Sequence, residues 1–362
     1  MQYTRLGQTG MKVSRIALGC MSYGDTSSGF NQWSLNEESS QPFFQQAVEL
    51  GITLWDTANV YQLGSSEEFV GRAVKQYSRR EDIVIATKVS GKIHDGPGGK
   101  GLSRKAIMEQ IDASLSRLGT DYIDIYLIHR FDDETPVDET MEALYDVLKA
   151  GKARYLGASS MFAWQFAKLQ HAAALHGWTP FIAMQDQYNL IKREEEREML
   201  PLCADLGVGC IPYSPQGKGR LTRPWGEQTQ RSEKDAVAKT FDLDVDQPVV
   251  EAVQKVAAAR DSDVSGGAGM AALEAGRYCP DRGCHEAAPP RRRRRSPRRE
   301  AERRRDPDAG RAVHAASTVL VLTQRPELPY QSDQAMVWLE GDVHRPLATR
   351  APFGTTTKRG RQ

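Results

Sequence analysis

The first 260 residues predict an α/β fold, a (β/α)8 TIM barrel, and three observations carry that prediction. Short apolar runs alternate strictly with longer amphipathic runs, a pattern that demands a parallel sheet covered by helices. Polar or ionisable residues stand at the C-terminal ends of the apolar runs, where barrel enzymes place their chemistry. No GxGxxG loop follows the first apolar run, which disfavours the rival open sheet of the dinucleotide-binding type. The chain has 362 residues and is 40% hydrophobic, enough for a sizeable core.

Each element follows from its residues. "SRIALGC" (Ser14–Cys20) is the first strand, and Glu38–Gly51 has helical periodicity and stops on glycine. "ITLWDTA" (Ile52–Ala58) is a strand. Ser65–Tyr77 is a helix, with serine at its cap and acids in its first turn. "DIVIATKV" (Asp82–Val89) is the third strand, followed by a helix over Ser103–Gly119. "DIYLIHR" (Asp124–Arg130) and the helix Val137–Gly151 form the next pair. Then come the strand Ala153–Ser160, the helix "AWQFAKLQHAAALHG", the strand Phe181–Asn189, the helix "REEEREMLPLCADLG" and the strand Val208–Pro215. The polar strand ends are Asp56, Lys88, His129, Ser159, Gln185 and Tyr213, which favours one shared site.

The net charge of +1 hides a split. Residues 1–260 hold 29 Lys+Arg against 34 Asp+Glu, and residues 261–362 hold 19 against 13, so balances of −5 and +6 meet near position 260. Cys20, Cys203 and Cys210 lie in apolar runs and read as small core residues. Cys279 and Cys284 with His285 match no common ligand spacing, so no metal is expected. The N-terminus has no apolar leader core, and no run of 18 apolar residues exists, so the expectation is a cytoplasmic protein without a membrane partner.

Asp56, Tyr61, Lys88 and His129 carry the chemistry. Singly each has a plain reading: a turn cap, a half-buried aromatic, a surface ion pair, a hydrogen-bonded core histidine. Together, at the ends of successive strands, they supply what carbonyl reduction needs. A lysine held charged by a carboxylate is expected to lower the pKa of a nearby phenol, bringing it toward useful acidity. A histidine can then donate to the carbonyl oxygen, with hydride arriving from elsewhere.

The chain resembles an aldo-keto reductase, most similar to the bacterial branch grouped with aryl-alcohol dehydrogenases and the YajO-like reductases. The resemblance rests on "YTRLGQTGMKVSRIALGCMSYG", "WDTANVYQLGSSEEFVGRAV", "IVIATKV", "RLGTDYIDIYLIHRFD", "GKARYLGASSM", "MQDQYNLIKREEEREMLPLC" and "PYSPQGKGRLTRPWG", in family order through residue 260. It implies Tyr61 as the general acid, tuned by Lys88 and Asp56, with His129 orienting the substrate oxygen. It implies NADPH (NADP+) as cofactor. Ser159 and Gln185 would hold the nicotinamide carboxamide, with Ser160 where many members have asparagine, and Tyr213 would lie against the ring. Ser214, Gln216, Gly217 and Gly219 would line the pyrophosphate path, with Arg220 a weaker candidate. "YTRLGQTGMKV" matches the family's N-terminal β-hairpin, which closes the barrel bottom. Trp33, Trp55 and Trp225 are candidate walls of a substrate pocket, with a core role competing for Trp55. The alternative is a cofactor-binding regulatory subunit like the potassium-channel β subunits, or an inactive reductase.

The family pattern stops after "VVEAVQKVAAAR" (Val249–Arg260). The eighth strand, the loop for the cofactor's adenosine phosphate and the family's ending are missing from residues 261–362, which read as an Arg/Pro-rich, disordered tail. Synonymous codons for Leu273 to Arg291 can be chosen that, read one nucleotide later, spell "WKPGVTAPIVGATKPPHL", which resembles the missing strand and loop. The same shift at "RAVHAAS" (Arg311–Ser317) can spell "APYMPHR", which resembles the ending. A frameshift near residue 260 accounts for both. The Arg run lacks interleaved aromatics, so no specific nucleic-acid partner is expected. "STVLVLTQ" (Ser317–Gln324) is β-prone and expected to lack a partner strand, and the missing eighth strand is expected to leave the first and seventh strands as open edges.

Overall fold

Tyr3–Arg5 (β1) and Lys12–Ser14 (β2) form an antiparallel hairpin, with Tyr3 opposite Ser14. The computed structural model describes residues 1–28, 31–227, 229 and 244–259, and a strand at 317–320. Leu6 and Val13 of the hairpin region are fully buried against Ala17, Leu54, Ala86, Ile125, Leu127, Ala183 and Ile211. These residues come from successive strands and fill the inside of the curled sheet, so the hairpin plugs its floor. Gly7 sits at φ +58, and a Cβ there would stand 2.5 Å from the carbonyl oxygen of Gly207, so the plug fits only with glycine at its tip.

Seven parallel strands follow: Ile16–Gly19 (β3), Leu54–Asp56 (β4), Val84–Val89 (β5), Ile123–Ile128 (β6), Ala153–Ser159 (β7), Ala183–Gln185 (β8) and Gly209–Cys210 (β9). Each pairs with the next in chain order. The helices are Glu37–Glu49 (α1), Ser65–Tyr77 (α2), Arg104–Leu118 (α3), Val137–Lys149 (α4), Ala163–His176 (α5), Met199–Leu206 (α6) and Gln247–Ala259 (α7). A second, larger apolar layer including Phe44, Trp55, Ile107, Met141, Phe166 and Phe181 lies between the sheet and α1–α6. The result is a half-barrel, an incomplete (β/α)8 barrel.

Three local expectations change. The helix expected over 193–207 begins only at Met199. Pro201 cannot donate to the carbonyl of Arg197 and clashes with it, so Glu194–Glu196 form a separate 3-10 turn. Ser65 is the first residue of α2 rather than its cap; Gly64 takes that place at φ +100, and the Ser65 hydroxyl donates to the carbonyl of Gln62. The segment expected to lack a partner strand has one. Ser317–Leu320 (β10) pairs antiparallel with β3, Ser317 opposite Gly19 and Leu320 opposite Ile16. It satisfies the edge of β3, which presents unpaired backbone groups to any β-prone segment. Its direction is opposite to that of an eighth barrel strand. Among the described residues no strand pairs with the far side of β9. Cys279, Cys284, His285 and the Arg run lie outside the described residues, and no helix among those described is long and apolar enough to cross a membrane.

Candidate active site

In the parallel register Gly19 faces Asp56, Asp56 faces Ala86, two residues before Lys88, and Val89 faces Ile128, with His129 next, so the C-terminal ends of β4, β5 and β6 lie at the same end of the sheet. Lys88 is fully buried. Its ammonium donates to both carboxylate oxygens of Asp56, at 2.8 and 2.7 Å, to the carbonyl of Thr57 at 2.7 Å and to the Tyr61 hydroxyl at 3.3 Å. Gln185, from β8, donates its side-chain amide to Asp56 at 2.9 Å. Burying a lone ammonium is prohibitive, and a carboxylate, a carbonyl and a phenol together make this one tolerable. The Tyr61 and His129 rings meet edge to face with centroids 5.7 Å apart. The four residues expected to act together are therefore in one cluster.

Tyr61 opens a short turn (Tyr61–Gly64) in which Gln62 and Leu63 are both left-handed, at φ 48 and 53. Two consecutive non-glycine residues in that region need external support. Gln62 is buried and donates to Ser34 and to the carbonyl of Met21. Below the turn, the fully buried Glu67 accepts from Thr87 at 2.5 Å and from Arg117 at 2.6 Å. The Arg117 side chain also lies against Gly64, where a Cβ would approach its Cδ to 2.6 Å. Sequence reasoning passed over Gln62, Thr87, Glu67 and Arg117. Glu67 read as an ordinary first-turn acid of α2, and only the packing of α2 on α3 reveals its partner.

The electrostatics correct one expectation. Burial pushes the Tyr61 phenol up; the Lys88 charge pulls it down and the Asp56 charge pushes it up again, and the balance lies above the ordinary phenol value. Lys88 therefore pulls in the expected direction, but burial and Asp56 outweigh it and the resting phenol is not brought toward neutrality. Burial alone would pull Lys88 down, but the charge of Asp56 and the hydrogen bonds to Asp56 and Tyr61 overcome it, and the ammonium is held above its usual range. His129 is pushed well below its ordinary value by burial, then by Lys88 and Arg130, so its imidazole is neutral. The site at neutral pH is a protonated phenol, a charged lysine and a neutral imidazole.

The residues expected to meet a cofactor gather at the ends of β7, β8 and β9. The Ser159 and Ser160 hydroxyls are 3.2 Å apart, and Ser160 donates to the Tyr213 hydroxyl at 3.4 Å. Gln185 is turned by its amide nitrogen toward Asp56, so it links this group to the first one. A cleft of about 450 Å³ is lined by residues including Arg130, Phe131, Ser160, Gln187 and Tyr213. Beyond it Ser214 (φ 53), Gln216, Gly217 (φ 57) and Gly219 (φ 88) form a tight loop, with Arg220 buried in it and Asn189 donating to the Ser214 carbonyl. Serine hydroxyls beside the Tyr213 hydroxyl, followed by a glycine loop with a basic residue, fit the nicotinamide and pyrophosphate halves of a dinucleotide. The stretch past residue 260, from which the loop for its adenosine phosphate is expected to be missing, lies outside the described residues apart from Ser317–Leu320. Trp55 is corrected to the core: it is fully buried, donates to the Ile52 carbonyl at 3.0 Å and packs on Phe44. Trp225 is half-buried against Leu221, Val250 and Val253, and Trp33 is half-buried; neither is among the residues lining the cleft.

A sequence model described as the aldo/keto reductase family matches residues 15–266. The chain is 46% identical over 280 residues to the versiconal hemiacetal acetate reductase of Aspergillus parasiticus, covering 71% of this chain and 81% of that one. It is 40% identical over 284 residues to an aldo-keto reductase, AFTS1, of Alternaria alternata (71% and 77% covered). It is 39% identical over 305 residues to a protein of Saccharomyces cerevisiae provisionally named an aryl-alcohol dehydrogenase, AAD16 (78% and 86% covered). These three relatives are fungal.

Removing one member of a buried ion pair costs about 3–5 kcal/mol, because the other charge is stranded. Lys88→Met should lower the chemical-denaturation stability by that order. Adding Asp56→Asn to it should recover a large part. A Lys88→Met chain as stable as the original would show that the pair carries no such constraint.

Proposed function

The chain belongs to the aldo/keto reductase family, and from that premise we propose that it reduces aldehydes or ketones to alcohols, or runs the reverse, with NADPH as its cofactor. The observation that carries the reading is the Tyr61 hydroxyl 3.3 Å from an ammonium that Asp56 locks in place. When bound, the cofactor supplies the hydride. The remaining work falls to the chain. His129, neutral, donates a hydrogen bond to the substrate oxygen and polarises the carbonyl. Tyr61 gives its proton to that oxygen as the negative charge develops there. The phenolate left behind faces the Lys88 ammonium, so the interaction is stronger in the transition state than in the resting site, which is the condition for acceleration. One hydride and one proton are added across the C=O bond, and the alcohol leaves.

Ser159, Ser160 and Gln185 would hold the nicotinamide carboxamide, Tyr213 would lie against the ring, and Ser214, Gln216, Gly217, Gly219 and Arg220 would line the pyrophosphate path. The relatives' names make aromatic aldehydes the natural first probes. The choice of NADPH over NADH, the bacterial placement within the family and a cytoplasmic setting without nucleic-acid or membrane partners come from the sequence motifs and composition. We also infer that the coding frame shifts near codon 260, making residues 1–260 the reductase part and the rest an out-of-frame tail. Activity would then fall far below that of an intact relative. Coding DNA that runs in frame through the family's eighth strand in other isolates, with a one-base difference here, is the expected finding; an identical frame in all of them would sink that inference.

Tyr61→Phe should reduce turnover of an aromatic aldehyde by at least about a hundredfold, the usual order for a general acid, while NADPH fluorescence titration gives unchanged affinity. Binding of NADPH without turnover in the original chain would favour the regulatory-subunit reading. Turnover that survives the substitution would remove Tyr61 from its role.

A further inference from the structure

Asp186 is a buried carboxylate to which the proposed chemistry gives no task. It follows Gln185 at the end of β8 and is only 6% exposed. Its Oδ1 accepts the backbone N–H of Ser160 at 2.7 Å, and its own carbonyl accepts the backbone N–H of Tyr213 at 2.9 Å. One residue thus ties the end of β7 to the stretch beyond β9. The Ser160 that it holds has φ 51, a conformation that a residue with a side chain keeps only under constraint. That turn aims the Ser160 hydroxyl at Ser159 and Tyr213. The second oxygen, Oδ2, is buried with no hydrogen-bond partner, and the side chain forms part of the wall of the 450 Å³ cleft.

We propose that Asp186 is a positioning residue for the cofactor: its carboxylate fixes the Ser159–Ser160 turn so that the hydroxyls of Ser159, Ser160 and Tyr213 converge on the nicotinamide. This rests on the cofactor reading given above. The charge of the carboxylate is the adjustable part. Burial and the negative charge of Glu195 push it up to about 7, against the backbone N–H groups of Ser160 and Met161 and the charge of Arg130. The other titratable groups around it are Cys203 on α6 and, on the cleft wall, Asp133, Glu194, Arg197 and Glu198. Below pH 7 the group is a neutral acceptor. Above it, the bond to Ser160 becomes charge-assisted and a negative charge stands on the side where the oxidised cofactor brings a cationic ring. NADP+ affinity should therefore rise with pH through 7.

The sign for stability is opposite. A carboxyl whose folded pKa is raised favours the fold below its unfolded value and loses that contribution as pH climbs toward 7. Asp186→Asn keeps an acceptor oxygen without the charge, so it should raise the melting temperature most at pH 8, less at pH 5, and leave it nearly unchanged below the unfolded carboxyl value of 3.8.

The test uses the full chain with 15N-serine labelling and NADP+ as the probe. In the original chain without cofactor, the Ser160 amide resonance should titrate with a midpoint near 7, and in Asp186→Asn it should be flat. NADP+ should bind Asp186→Ala about tenfold more weakly at pH 8, the order expected for a lost charge-assisted bond, while Asp186→Asn should hold at every pH the affinity that the original chain has below pH 7, removing the pH dependence. A Ser160 amide that does not titrate, with normal NADP+ binding, overturns this inference and leaves the cofactor reading standing. A folded Asp186→Ala that binds NADP+ as tightly as the original chain also overturns it. A titrating Ser160 in a chain that binds no NADP+ at any pH rejects the cofactor reading, and the cofactor-directed role of Asp186 with it.

Discussion

A charged ammonium with no access to water is the constraint around which this site is organised. Lys88 can be buried only if its three donors are used, and they go to Asp56, the Thr57 carbonyl and the Tyr61 hydroxyl. Those partners come from β4 and from the turn that follows it, so the ladder between β4 and β5 and the shape of that turn are both dictated by one charge. The strain in Gln62 and Leu63 is the local cost of bringing the phenol over the strand ends. Glu67, Thr87 and Arg117 hold that turn from below. Gln185 extends the same network across the sheet to β8, and Asp186 carries it on to the Ser160 turn.

The electrostatic order that results is simple. Charge is permanent on Lys88, absent from His129 and absent from resting Tyr61. An acid that is never depleted near neutrality, beside a cation that gains most when the acid has given its proton, favours the transition state over the ground state. Lowering the resting phenol pKa is not required for that.

The alternation of apolar and amphipathic runs made the seven parallel strands legible, because burying a strand on both faces leaves a continuous apolar run. The polar ends Asp56, Lys88 and His129 were legible for the same reason: an ionisable residue closing an apolar run must find a partner. What stayed hidden is tertiary. Glu67 and Arg117 are 50 residues apart, and nothing in either segment announces the other. Trp55 sits beside Asp56 in chain order, yet strand alternation turns it to the opposite face, into the helix layer with Phe44. Composition marked the region after 260 as foreign, and the family match ends at 266. The antiparallel pairing of Ser317–Leu320 on β3 was not foreseen, because a β-prone run carries no direction of its own.

The central claim is that Tyr61 rests as a phenol and that Lys88 acts on its phenolate only when the proton has left. Carbon-13 NMR of ring-labelled tyrosine, with the Tyr61 resonance assigned by its loss in Tyr61→Phe, measures this directly. The account predicts no titration of Tyr61 below pH 10 in the chain without cofactor. A midpoint near pH 8 would contradict it, and would mean that the lysine activates the phenol in the ground state.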